Sequence, residues 1–212
     1  LTLDRLAHRI GRIVPSRSRQ AHEVLGQLEA LDTAVYRAVA TSPTPAIDRQ
    51  VQRISDAANY SKVWFGVAGA LALFGGSRGR RAAVDGLVAI GIASFVTNRV
   101  VKPVAVRGRP ERAADVVADR VVRMPTSRSF PSGHTASAFA FASAVSNTMP
   151  PLSFPLTLMA TAVGYSRVHT GVHFPADVLF GSVIGATSGE TASWGLAHWR
   201  RSRGKRGAGT RR

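Results

Sequence analysis

Three short stretches of the chain hold residues whose types and spacing suit work on a phosphorus centre. In the first, Lys102 and Arg109 are each followed directly by proline, Pro103 and Pro110. Proline restricts both itself and the residue before it, so this is a helix end running into a stiff loop that presents two cations. In the second, Pro131-Ser132-Gly133-His134 stands just before an apolar run. Gly133 lets backbone N–H groups approach an anion, Ser132 can cap the helix and donate to a phosphate, and a helix N-terminus is itself an anion site. His134 then sits where it can give a proton to a leaving oxygen. In the third, Ser166-Arg167 precedes His173 and Asp177. Arg167 offers a planar fork matched to phosphate oxygens. Pro175 suits the first turn of a helix, which puts His173 at its entry and Asp177 within that turn. The Asp177 carboxylate can reach one ring nitrogen of His173, fix the tautomer and leave the other nitrogen free to attack. Singly, each stretch has a plainer reading: a solvated basic loop, a capped helix with an incidental histidine, a structural His–Asp pair.

The elements that must position these residues are apolar runs at 63–76, 82–101, 135–149, 152–165 and 176–197. Five in succession argue for membrane helices, although several fall short of the roughly 20 residues a crossing needs; a buried bundle core is the alternative. Residues 77–81 read as a basic turn. Gly181, Gly185 and Gly189 share one helix face and predict close approach of another backbone. Upstream, Leu25, Leu28, Leu31, Val35 and Val39 recur at helical spacing, predicting an amphipathic helix over 22–40 that either spans or lies at an interface. A shorter amphipathic helix is expected over 46–58, with Ile47, Val51 and Ile54 on one side. Arg107, Arg112, Arg120, Arg123 and Arg128 crowd the loop before the second stretch and read mostly as solvated. His169 reads as local structure or a headgroup contact. Phe130, Phe139 and Phe141 read as core.

At 212 residues there is room for one domain. The formal charge of +16 admits nucleic acid, anionic lipid or a phosphorylated substrate as partner. The absence of cysteine excludes disulfides and thiolate metal sites. Mean hydropathy is only +0.03, because arginine-rich ends dilute the apolar middle. The organisation predicted is a basic lead over 1–21 without the apolar core of a signal peptide, a membrane-embedded domain over 22–199, and a basic disordered tail over 200–212. Placing 1–22, 77–81 and 200–212 in the cytoplasm puts 102–130 and 166–175 on the opposite face, provided that the 22–40 helix spans; otherwise the lead lies outside.

In this order the stretches resemble the signature of the type-2 phosphatidic acid phosphatase superfamily, which also holds lipid phosphate phosphatases, bacterial acid phosphatases and vanadium haloperoxidases. Its pattern is lysine, six residues, Arg-Pro; then Pro-Ser-Gly-His; then Ser-Arg, five residues, histidine, three residues, aspartate. Residues 102–110, 131–134 and 166–177 fit without departure. The resemblance implies an all-α integral membrane helical bundle of about five to six transmembrane helices, with an acid phosphatase/vanadium haloperoxidase-like core in the plasma membrane and its active site on the extracytoplasmic face. It implies that His173 is the nucleophile, forming a phosphohistidine and oriented by Asp177. His134 would be the general acid and afterwards the base for water. Lys102, Arg109, Ser132, Gly133 and Arg167 would form the phosphate cradle. No metal, no cofactor and no nucleic acid are implied. The substrate would be a lipid phosphate or pyrophosphate in the bilayer, of isoprenoid, phosphatidic acid or phosphatidylglycerol phosphate type. The rival readings are a soluble acid phosphatase or vanadate-dependent haloperoxidase, and a basic membrane- or nucleic-acid-binding protein with an inactive site.

Overall fold

The computed structural model describes residues 16–209 except 106, 112–119 and 121, and within these all side chains but those of 16–19, 60 and 204–209. The described residues form helices and turns, with no strand. α1 is Ser16–Thr41 and α2 is Pro45–Ala57. A 3₁₀ turn, Asn59–Ser61, leads into α3, Lys62–Phe74. α4, Gly76–Phe95, continues through a π-helical stretch, Val96–Val101, and a last turn, Lys102–Val104. α5 is Gly133–Thr148, α6 is Ser153–His169 and α7 is Pro175–Gly209. Most of the predicted lead, 1–15, and Arg112 lie outside the described residues. The predicted disordered tail is instead helical as far as Gly209.

α5 is the central helix. Ala136, Ala138, Ala140, Ala142 and Ala144 are all buried, so small residues face neighbours on every side. On one side α5 joins Trp64, Leu156 and Val163 through Phe141 and Val145, with the Trp64 and Phe141 ring centroids 5.3 Å apart. On the other, its alanines meet Ala89 and Ala93 of α4 and Ala192 of α7. The glycine stripe of α7 lies against α5, as its spacing predicts. A Cβ on Gly181 would stand 2.6 Å from Ser132 O, and one on Gly189 would stand 2.6 Å from Ser143 Cβ. Only glycine permits that separation, and dispersion between the two close backbones holds the helices together along the seam.

The bundle has two chemically different ends. At one, the buried Asp85 of α4 pairs with Arg200 of α7 (Oδ1–Nη2 2.5 Å) and accepts from Thr148 Oγ1 at 3.0 Å. Arg78, Arg80 and Arg81 are exposed at the start of α4 near this end. The predicted basic turn over 77–81 is corrected here: these residues already belong to α4. The reversal needs only Gly75 and Gly76, the latter at φ +60°. At the other end the last turns of α4 and α6 meet the first turns of α5 and α7.

α1 and α2 lie over that second end. Tyr36 and Ala40 pack on Val168, Phe174 and Val178. The predicted leucine stripe of α1 faces away, with Leu25, Leu28 and Leu31 exposed. Among the described helices only Gly76–Val104 is long and apolar enough to cross a membrane; Lys62–Phe74 is apolar but shorter. The expected five to six crossings are therefore not all evident from length and composition. α5 and α6 are only 16 and 17 residues long. Even so, large apolar side chains project from the outer faces of the bundle, among them Phe74, Phe154, Leu179 and Trp194.

Candidate active site

His173 sits in the turn between α6 and α7, fully buried. Gly171, at φ +69°, closes that turn, and the N–H groups of Val172 and His173 both donate to Arg167 O at 3.1 Å. On one side of the imidazole, Nδ1 is 3.3 Å from Asp177 Oδ2. On the other, Arg109 Nη1 is 3.3 Å from Nε2. A guanidinium can only donate, so Nε2 is the unprotonated nitrogen and Nδ1–H donates to the carboxylate. This leaves the Nε2 lone pair as the nucleophilic position. Burial foremost, with the charges of Arg109 and Arg167, pushes the His173 pKa down to about 4 against the pull of Asp177. The ring is therefore neutral at ordinary pH.

Asp177 is saturated with donors. Its Oδ2 also accepts from Phe174 N at 3.0 Å and from Ser129 Oγ, while Oδ1 takes Arg107 Nη1 at 3.1 Å. The carboxylate thus caps the start of α7 and holds His173 at the same time. The second and third motif stretches are joined directly, because Ser132 N donates to Asp177 O at 2.9 Å.

The cations and His134 surround this pair. Arg109 is clamped by Ser127 O at 2.8 Å and Val172 O at 2.6 Å. Lys102 Nζ lies 3.4 Å from Ser127 Oγ and 3.9 Å from the point where a Gly133 Cβ would stand. Arg167 is buried, with Nη1 donating to Ser55 O and Ser55 Oγ at 3.2 and 2.7 Å. Its Nε finds no partner among the described residues. Lys102, Arg109, Arg167 and His173 all lie within electrostatic range of His134. A cleft of about 600 Å³ opens beside them, lined by His134, Gly133 and Lys102 among others. Ser132 is fully buried and its hydroxyl caps α5 through Thr135 N at 3.4 Å. Donors converging from Lys102, Arg109, Arg167 and the start of α5 describe an anion site.

Several residues at the site escaped the sequence reading. Ser129 touches both Asp177 and His173 Nδ1, the latter at 3.4 Å. Asn59 Oδ1 is 3.2 Å from His134 Nε2. Arg107 bridges Asp177 to Asp32 of α1, at 2.5 Å to Asp32 Oδ2, and Asp32 Oδ1 accepts from Ala176 N at 2.8 Å. The reading of the loop arginines as mostly solvated is corrected for three of them. Arg128 donates to the carbonyls of Lys102, Pro103 and Ala105, capping α4. Arg120 is completely buried, donating to Ala40 O at 3.2 Å and pairing with Asp48 at 3.0 Å. Asp48 also holds His169 Nε2 at 3.0 Å, so His169 is a structural residue of the α2–α6 contact.

A family model described as the PAP2 superfamily matches residues 82–201, more than half of the chain. The chain belongs to the PAP2 superfamily. It is 32% identical over 115 residues to undecaprenyl-diphosphatase of Bacillus subtilis, covering 54% of this chain and 58% of that one. It is 35% identical over 122 residues to decaprenylphosphoryl-5-phosphoribose phosphatase of Mycobacterium tuberculosis, covering 56% and 66%. The chain thus spans about three fifths of the length of these relatives. Its fold matches the crystal structure of a transmembrane PAP2-type phosphatidylglycerolphosphate phosphatase from Bacillus subtilis, with TM-score 0.64, 22% identity, and 81% and 87% of the two chains covered. It also matches Aquifex aeolicus LpxE, with TM-score 0.55, 25% identity, and 76% and 94% covered.

Proposed function

We propose that this chain is a membrane-embedded phosphatase that hydrolyses a lipid phosphate monoester or pyrophosphate through a phosphohistidine on His173. The observation that carries the reading is the arrangement at His173: Asp177 on one ring nitrogen, Arg109 at the other, and His134 within electrostatic range. In the first step Nε2 of His173 attacks phosphorus, the bond to the leaving oxygen breaks, and protonated His134 gives that oxygen its proton. Asp177 stabilises the positive charge that develops on the imidazole. Lys102, Arg109, Arg167 and the amide at Gly133 stabilise the equatorial oxygens. In the second step water attacks phosphorus, His134 takes the water proton, and the Nε2–P bond breaks to release phosphate. Ser132 acts by fixing the start of α5.

The outward apolar side chains of α3 to α7 support a bundle of five segments in the bilayer. The site stands at the end opposite the exposed arginines of α4, which supports an extracytoplasmic site under the positive-inside tendency. α1, with its exposed leucines and its contacts at the site end, is read as an interfacial helix and not as a sixth crossing. The relatives that act on polyprenyl phosphates support the substrate class. Trapping of labelled phosphate by the wild type, lost in His173→Ala, is the direct test. A folded His173→Ala protein that still releases phosphate at the wild-type rate would overturn the mechanism.

A further inference from the structure

We infer that the cleft beside His134 is a subsite for a hydroxyl-rich leaving group, a sugar or other polyol esterified to the phosphate, and not for an apolar chain or a second phosphate. This rests on the phosphohistidine reading, since the oxygen that His134 protonates is where the leaving group begins. His134, Gly133 and Lys102 line the cleft, whereas His173 and Arg167 do not. The cleft therefore opens on the His134 side of the site, the side to which an in-line displacement with His134 as general acid would send its leaving group. Its volume of about 600 Å³ suits a small-molecule group much larger than one phosphate.

The lining chemistry selects among leaving groups. Beyond the cations Lys102 and Arg123, the wall carries Asn59 and Ser61 from the turn before α3, Ser94 and Asn98 from α4, and Ser137 from α5. Ser94, Asn98 and Lys102 follow at four-residue intervals on α4 and its continuation and together line one wall of the cleft. An alkyl or isoprenyl chain here would cover amides and hydroxyls without satisfying them. A second phosphate is disfavoured by the orientation of the amides. Asn98 Nδ2 donates one of its two N–H groups to Ser94 Oγ at 3.2 Å, and its carbonyl oxygen stands 4.0 Å from where a Gly133 Cβ would be. Asn59 Oδ1 accepts from His134 Nε2–H, which leaves its NH₂ as donor. A phosphate dianion only accepts: it could pair with Lys102 and Arg123 but would leave Asn98 Oδ1 without a donor. A hydroxyl gives a proton to Asn98 and accepts one from Asn59.

The test uses the full chain purified in detergent and three substrates: dodecyl glucoside 6-phosphate, dodecyl phosphate and farnesyl diphosphate. The expected result is a kcat/KM for the glucoside phosphate at least about tenfold above that for either of the others, the size of preference hydrogen-bonding subsites give. Asn98→Leu is expected to cut that preference at least about fivefold, mainly through KM, and Ser94→Ala to shift it the same way by less. A wild-type preference for dodecyl phosphate or farnesyl diphosphate overturns the inference. So does an unchanged preference in both variants at wild-type Tm. Release from none of the three, with no phosphoenzyme trapped, overturns the phosphatase reading and this inference with it.

Discussion

Gly181→Ala adds one methyl group where α7 crosses the start of α5, and it tests whether the helix seam sets the site geometry. The new carbon would stand 2.6 Å from Ser132 O and 3.3 Å from Thr135 Cβ, where ordinary contact begins near 3.4 Å. The nearest obstacle is backbone, so no rotamer relieves it, and the two helices must part locally by about 0.8 Å in a close-packed interior. Ser132 is tied to Asp177 O through its own N–H and accepts from Ala136 N at 3.0 Å. Displacing it shifts Gly133 and His134 relative to His173 and Asp177. A misplacement of about 1 Å costs on the order of a hundredfold in rate, whereas overpacking of this kind costs about 1–3 kcal/mol of stability. The expected outcome is a kcat reduced roughly thirty- to a hundredfold in a protein that still folds, with Tm lowered by several degrees. Phosphate release in detergent gives the first quantity and near-UV circular dichroism melting the second. Gly195→Ala, farther along α7, meets nothing within 4 Å and should leave kcat unchanged, with Tm unchanged or slightly raised because alanine favours the helix. Wild-type kcat in Gly181→Ala, or an equal loss in Gly195→Ala, would refute the link between seam and site.

The remaining expectations concern pH and charge. With His173 pushed down to about 4, the acid limb of kcat/KM should fall tenfold per pH unit below about pH 4, where the imidazole protonates and cannot attack. Arg109→Gln removes a charge that lowers this pKa, so the acid limb of the residual activity should move to higher pH; a limb that stays put contradicts the assignment. Stability should also fall as pH drops from about 6.5 to about 4, because an unfolded histidine takes up a proton there and the folded one does not. Arg107→Leu leaves Asp32 and the buried Asp177 without their shared cation. It should lower kcat about a hundredfold with smaller effect on KM, since Asp177 stabilises charge that develops during attack. Arg200→Leu strands the buried Asp85 far from the site. It should cost on the order of 3 kcal/mol of stability, read as a Tm loss of about 10 °C, with kcat/KM retained in the folded fraction.

Much of the site was legible because its parts sit on helix ends, where sequence carries strong local signals. Ser132 before an apolar run marks a cap, Pro175 marks a first turn, and the four-residue step from His173 to Asp177 brings the two together within that turn. The glycines of α7 were legible for a similar reason: a face is a local property of a helix. What stayed hidden involves partners far apart in the chain. Asp32 meets Arg107, Ser129 meets Asp177 and Asn59 meets His134 across separations of 75, 48 and 75 residues. No periodicity records such pairings, and in a basic loop Arg107, Arg120 and Arg128 look no different from Arg123. The crossings were hard to count because α5 is enclosed by protein. Its surface is alanine and serine selected for close packing, which reads as weakly apolar.

The abundance of arginine over lysine acquires a structural reason at this end of the bundle. Each helix that delivers a site residue ends in backbone groups without intrahelical partners. Arginines engage many of the exposed carbonyls: Arg128 at the end of α4, Arg120 at the end of α1, and Arg109 at Val172 beyond α6. A guanidinium has five N–H donors in a fixed plane, so it can bind carbonyls with some and still turn others towards an anion. Arg109 does both, holding Ser127 O and Val172 O while lying against His173 Nε2. An ammonium at position 109 would keep the charge but could not span those carbonyls in one plane. Both cradle and scaffold therefore depend on the shape of the cation as well as on its sign.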